Sequence, residues 1–193
     1  MAEIPRLHIA QDEAADALLA RDPFALLVGM LLDQQFPMER AFAGPAVIAQ
    51  RMGVHDLDPS AVASADPEEF AQLMAGPPAV HRYHSSMAGR VQGLAAHVRD
   101  EYDGDASRLW REAGNGAELA ARLRALPGFG EQKVRIFVAL LGKQFGVRPP
   151  GWEEAAGAYA TPGRRSVADV VDATSLQEVR DHKRALKQAA RQA

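Results

Sequence analysis

Cysteine is absent from this chain, which removes disulfides, thiolate zinc sites and cysteine-ligated iron–sulfur clusters at one stroke. Long apolar runs are missing too. No stretch reaches the roughly eighteen apolar residues of a membrane span, and the start, Met1 to His8, has no basic region followed by an apolar core. The expectation is a soluble, cytoplasmic protein. Aromatic and β-branched runs are scarce while Ala and Leu recur throughout, a balance that favours helices over strands. With 193 residues, the chain suits one sizeable domain and requires no second fold.

A positive net charge is also lacking. The formal value is -3, which argues against a generally basic nucleic-acid binder, yet the charges are unevenly spread. From Gly116 onward there are 13 Lys or Arg against 8 Asp or Glu, and before it 9 against 17, so one face of the second half can meet phosphates without a high pI. The histidines His8, His55, His81, His84, His97 and His182 form no metal-like cluster with carboxylates. No side-chain metal site is therefore expected.

Proline does much of the punctuation. Asp22-Pro23, Asp58-Pro59 and Asp66-Pro67 read as helix entries, an Asp cap followed by Pro in the first turn. Ile4 to Leu19 reads as a lead segment and amphipathic helix. The apolar run from Phe24 predicts a core helix ending in Asp33-Gln34-Gln35, and Met38 to Met52 a helix bent at Gly44-Pro45. From Ser85 to Tyr102 one apolar face recurs through Met87, Val91, Leu94, Ala95 and Val98. Helices over Glu118 to Ala125 and Glu131 to Gln144 flank Leu126-Pro127-Gly128-Phe129-Gly130. A short Trp152 to Tyr159 helix and a final helix from Ser175 follow, its basic end beyond Lys187 expected to fray.

The Leu-Pro-Gly-Phe-Gly turn has a physical logic. Leu126 anchors the first helix, Pro127 stops it, and Gly128 and Gly130 permit a close backbone approach. Such a turn leaves amide N–H groups at the start of the next helix facing outward, suited to a phosphate oxygen. Lys133, Arg135 and Lys143 add charge, although helical spacing keeps them from pointing one way. Contacts of this type position DNA without reading its sequence. Taken alone, the turn also fits an ordinary αα corner. Two more segments narrow the reading: Leu31-Leu32-Asp33-Gln34-Gln35-Phe36-Pro37-Met38-Glu39-Arg40-Ala41-Phe42, a helix ending in a Gln-rich loop, and Val80-His81-Arg82-Tyr83-His84-Ser85 before a long helix.

In this order and spacing the three segments resemble the helix-hairpin-helix (HhH-GPD) superfamily of base-excision DNA glycosylases, of the endonuclease III-like kind without the iron–sulfur cluster, over about Phe24 to Gly151. The resemblance implies an all-α, two-lobed fold with a cleft between the lobes: a single domain over 1–193, with lobes at 25–115 and at 1–24 plus 116–193. It implies a monomer acting on double-stranded DNA that carries a damaged or mispaired base, flipped into the cleft. By position, Gln35 becomes the plug residue beside Gln34, and Arg82 or Tyr83 the second wedge. Gly128, Phe129, Gly130, Gln132 and Lys133 become the DNA-facing hairpin. A monovalent cation (Na+ or K+) held by the backbone of Arg124, Leu126 and Phe129 is the one cofactor implied. The residues alone also admit Gln35 as a helix cap and Tyr83 as core.

The catalytic pattern departs from that family. Bifunctional members place an attacking Lys two residues after the second hairpin glycine, where this chain has Gln132. Lys133 lies roughly 100° further round the helix and is expected to point elsewhere, so lyase chemistry is not expected. The usual Asp falls on Pro150, within Val147-Arg148-Pro149-Pro150-Gly151-Trp152. The carboxylates left as candidates are Glu153 and Glu154 just after it, Asp33 at the end of the core helix, and Asp169 beyond a loop. Glu153 and Glu154 also read plainly as dipole partners, and Asp33 as a solvated cap. Trp152 and Phe36 are aromatic enough to stack on an extruded base or to fill core. The expected function is a monofunctional DNA N-glycosylase, a hydrolase of the N-glycosyl bond. The alternative is a noncatalytic protein that binds damaged or bent DNA, and a protein interaction module is the least favoured.

Overall fold

A computed structural model describes residues 4–192; the first three residues of the Met1 to His8 start, and Ala193, lie outside the described residues. Among those residues the chain is all-helical, with eleven α-helices, two 3-10 turns and no strand. The helices are α1 (Glu13–Arg21), α2 (Pro23–Leu32), α3 (Met38–Met52), α4 (Pro59–Ser64), α5 (Pro67–Ala75), α6 (His84–Tyr102), α7 (Arg108–Arg111), α8 (Gly116–Arg124), α9 (Glu131–Gln144), α10 (Trp152–Ala156) and α11 (Ala173–Gln192). The 3-10 turns are Gly157–Ala160 and Val167–Asp169. No helix among them is long and apolar enough to cross a membrane.

Local chemistry sets most of the boundaries. Asp22, Asp58 and Asp66 each accept from backbone N–H groups of the helix that they start, with Pro following. Asp22 does more, because its other oxygen accepts from Leu57 N at 2.7 Å and so pins the α3–α4 loop to the start of α2. The segment before α1 is not helical. Ile9 and Ala10 both donate to the buried Asp16 carboxylate at 2.8 Å, which folds the chain back on α1 before Asp12 caps it. Pro45 is carried inside α3 and does not end it. At the other terminus α11 continues through the Ala-rich end to Gln192.

Packing forms two groups. In one, α2 lies against α1, α3 and α6, while α4 and α5 cover α6; every residue of α2 from Phe24 to Leu32 is buried. That is what a helix apolar all round requires. In the other, α8, α9 and α10 pack together, the two 3-10 turns flank α9, and α11 leans on the second of them. The groups meet where the end of α2 abuts the turn into α9. There a side chain on Gly128 would bring its Cβ to 2.5 Å from Leu31 Cδ1, so a glycine is what lets the hairpin seat against the core helix.

Candidate functional site

The joint between α2 and α9 gathers most of the unusual chemistry. The hairpin itself is built by short-range bonds: Leu126 N donates to Leu123 O at 3.1 Å and Phe129 N to Leu126 O at 3.2 Å, with Gly128 at φ 82°. Leu126 and Phe129 are buried, and Phe129 meets Phe137 edge-on at 6.1 Å. Phe129 thus anchors the turn, and what it offers a ligand is backbone. Gly130 caps α9 without any side-chain hydrogen bond, so the first amides of that helix keep their capacity for an anion. Among the described residues the Arg124 and Phe129 carbonyls accept no backbone hydrogen bond, and Leu126 O accepts one. Each of the three carbonyls therefore keeps at least one lone pair free of backbone donors.

Lys133 faces the end of α2, contrary to the expectation that it would point elsewhere. Its Nζ donates to Met30 O at 2.7 Å and Leu31 O at 3.2 Å, with the Asp33 carbonyl at 3.5 Å. The reason is the seating of Gly128 on Leu31, which brings the first turn of α9 beside the last turn of α2. That last turn holds carbonyls with no helical donor and carries the negative end of the helix dipole, so an ammonium there satisfies both. Gln132 turns the other way and donates to the Tyr159 hydroxyl at 3.0 Å.

Burial pulls the Lys133 amine down from 10.5 to about 8, with Arg90 and Lys183 adding to the fall and Asp33 opposing it. An amine depressed by folding is protonated more often in the unfolded chain between those two values. The stability that it contributes therefore rises with pH from about 8 to 10.5, by up to about 3 kcal/mol for a shift of that size. Urea unfolding between pH 8 and 10 is expected to show this rise in the natural chain and a flatter profile in Lys133→Met; equal slopes would show that the amine is not perturbed.

Asp33 stands just beyond α2, its side chain 14% exposed and its Oδ2 4.0 Å from Lys183 Nζ of α11. Burial raises its carboxyl above the ordinary range, against the pull of Lys183 and Lys133, and Glu39 raises it further. Glu39 pairs with Arg180, also of α11, while its Oε2 is buried without a hydrogen-bond partner. Two carboxylates from the start of the chain thus meet two cations from its last helix.

The Gln-rich loop follows at once. Gln34 is exposed, its Oε1 accepting from Arg90 at 3.0 Å. Gln35 is exposed in a left-handed conformation at φ 52°. Phe36 is half-buried, its ring 4.5 Å from His81 and under the Arg40 guanidinium. Tyr83, 47% exposed, lies under the Arg82 guanidinium at 5.1 Å.

The other carboxylates lie elsewhere. Asp169 is buried in a knot of its own, with Oδ1 2.6 Å from Lys143 Nζ and Oδ2 accepting from Arg165 N and Ser166 N. Glu153 and Glu154 are exposed on α10, and Glu154 lines a hollow with Asn115, Arg124, Glu131 and Arg135, where Glu131 already pairs with both arginines. Pro150 uses its carbonyl to accept from Gly116 N at 2.7 Å, and any Cβ on Gly116 would collide with the Gly151 backbone, so this loop is a packing joint between α8 and α10. The Trp152 ring packs against Gly142 of α9, where a Cβ would lie 2.4 Å from its Cε3 and Cζ3. Sequence reasoning missed Lys183, Arg180, Arg90 and His81. No spacing connects Lys183 to Asp33 across the length of the chain, and only the opposite signs of charge hinted at it.

A family model described as HhH-GPD superfamily base excision DNA repair protein matches residues 28–193. No curated protein and no solved structure matches the chain.

Proposed function

The chain belongs to the HhH-GPD superfamily of base excision DNA repair proteins, and from that premise we propose that it is a monofunctional DNA N-glycosylase with Asp33 as its carboxylate. The observation that carries this reading is the burial of Asp33 at the joint of α2 and α9, beside Lys133 and Lys183 and next to the exposed Gln34-Gln35 loop. In this reading one copy of the chain binds a duplex. The free amides at Gly130 and the start of α9 hold a backbone phosphate, with a Na+ or K+ ion held by the carbonyls of Arg124, Leu126 and Phe129 adding positive charge. Gln35 and Tyr83 enter the stack as the damaged or mispaired base swings out, with Gln34 and Arg82 beside them.

Chemistry then needs one acid. The C1′–N bond breaks, its electron pair leaving with the base, and the Asp33 carboxylate faces the positive charge that grows on the sugar. A water oxygen adds to C1′ and its proton passes to Asp33, whose raised affinity for protons suits a base. The products are a free base, which takes up that proton, and an abasic sugar. Lys133 holds the end of α2 and balances charge, its Nζ engaged with carbonyls.

Incubation with duplexes bearing uracil, hypoxanthine, alkylated or oxidised bases, followed by hot alkali, is expected to expose abasic sites. Base retention throughout, with binding preserved, would favour the noncatalytic damaged-DNA binder, the reading supported by the use of Pro150 as a packing joint. Borohydride is expected to trap no covalent adduct on abasic DNA. An adduct abolished by Lys133→Met would overturn the monofunctional reading and make Lys133 a nucleophile.

A further inference from the structure

Between the two loops read as entering the duplex lies a histidine with no solvent exposure, His81. Its Nε2 is 3.1 Å from the Gln34 carbonyl oxygen, and its Nδ1 accepts from Tyr83 N at 3.0 Å. A carbonyl can only accept and a backbone N–H can only donate, so the two partners together dictate one state of the ring: neutral, with the proton on Nε2. Its faces are occupied as well. The Phe36 ring lies 4.5 Å away and the Tyr83 ring 5.9 Å away. One buried side chain thereby holds the backbone just before Gln35, the ring just after it, and the amide of Tyr83.

We infer that His81 is a positioning residue, a neutral imidazole that locks the Gln34–Phe36 loop and the Tyr83 loop into one wedge and releases them when it is protonated. The inference rests on the proposed entry of Gln35 and Tyr83 into the duplex. A second ring proton would sit on Nδ1 and oppose the Tyr83 N–H, donor against donor, breaking the lock at that end. Burial already holds the imidazole below its ordinary value, and the charges that reach it, Arg82 of its own loop and Lys133 of α9, are both cations that resist protonation. The locked state therefore persists through neutral pH and is lost as pH falls below the ordinary histidine range. The free hairpin amides lie on a different element, so contact with undistorted DNA does not pass through this ring.

The test compares affinity for a duplex carrying a tetrahydrofuran abasic-site analogue with affinity for the same duplex intact. The natural protein is expected to prefer the analogue at least tenfold at pH 7.5 and to lose that preference with a one-proton dependence on moving to pH 5. His81→Phe, which keeps the stacking and removes both hydrogen bonds, is expected to bring the ratio to within about twofold of one while the affinity for intact duplex stays within about twofold. His81→Asn, whose amide oxygen can accept from Tyr83 N, is expected to restore part of the ratio and to remove its pH dependence. Should His81→Phe fail to fold, the pH dependence of the natural protein against that of His81→Asn decides the matter. A ratio unchanged in His81→Phe, or a ratio in the natural protein that is flat with pH, overturns the assignment. Gln35→Ala and Tyr83→Ala separate the two levels. If both keep the full ratio, the wedge reading fails and takes the lock with it; if both lose it while His81→Phe does not, only the role of His81 falls.

Discussion

Asp33→Asn is expected to slow base release in a single turnover by about 10²- to 10⁴-fold, the usual worth of a positioned acid or base, with DNA binding intact. Asn keeps the shape of the side chain and removes the charge that would face the sugar. The same substitution is expected to leave the fold as stable or more so. Burial raises the Asp33 carboxyl despite Lys133 and Lys183, which means that the ionised form is held at a net cost, as at many sites where function opposes stability. Thermal unfolding and single-turnover rates measured on one preparation give both signs. Glu153→Gln and Glu154→Gln serve as controls and are expected to leave the rate unchanged, since both side chains are exposed on α10. A rate loss confined to either glutamate would move the acid to the far side of α9 and end the case for Asp33.

Gly128→Ala is expected to be the most damaging single methyl group in the hairpin, by about 2–4 kcal/mol. Two separate effects add. The backbone at φ 82° is in the left-handed region, which costs a residue with a Cβ about 1 kcal/mol relative to glycine. The new methyl would also lie 2.5 Å from Leu31 Cδ1, and Leu31 is fully buried, so relief requires repacking at about 1–3 kcal/mol. Because this contact also sets Lys133 against the α2 carbonyls, the variant is expected to lose duplex affinity beyond its loss of stability. Urea unfolding and a binding titration at fixed salt check the two halves. A variant as stable as the natural chain would show that the hairpin is not seated on the core helix.

The helical plan was legible because its signals are local. Asp-Pro entries, the apolar run of α2 and the one-faced spacing of α6 each sit within one or a few helical turns of sequence, and the corresponding helices start and end close to where those signals fall. The hairpin was legible for the same reason, its Gly128 adopting the positive φ that favours glycine, whereas Gly130 is extended and meets nothing within 4 Å. What ties down the lead segment was not, since the Asp16 carboxylate accepts from Ile9 N and Ala10 N only where the fold buries it. Lys133 was misjudged by treating α9 as an isolated cylinder; which way a residue points on a helix matters only relative to what lies beside it, and what lies beside it is α2.

The amino-acid sequence determined the family, the helices and their caps, and the turn that can meet a phosphate, because each is written in residues a few positions apart. The tertiary structure alone decided which carboxylate is buried in the joint, that Lys133 and Lys183 oppose it, and that His81 bridges two loops. These depend on desolvation and on distances between groups dozens to more than a hundred residues apart. Neither quantity exists until the chain has packed.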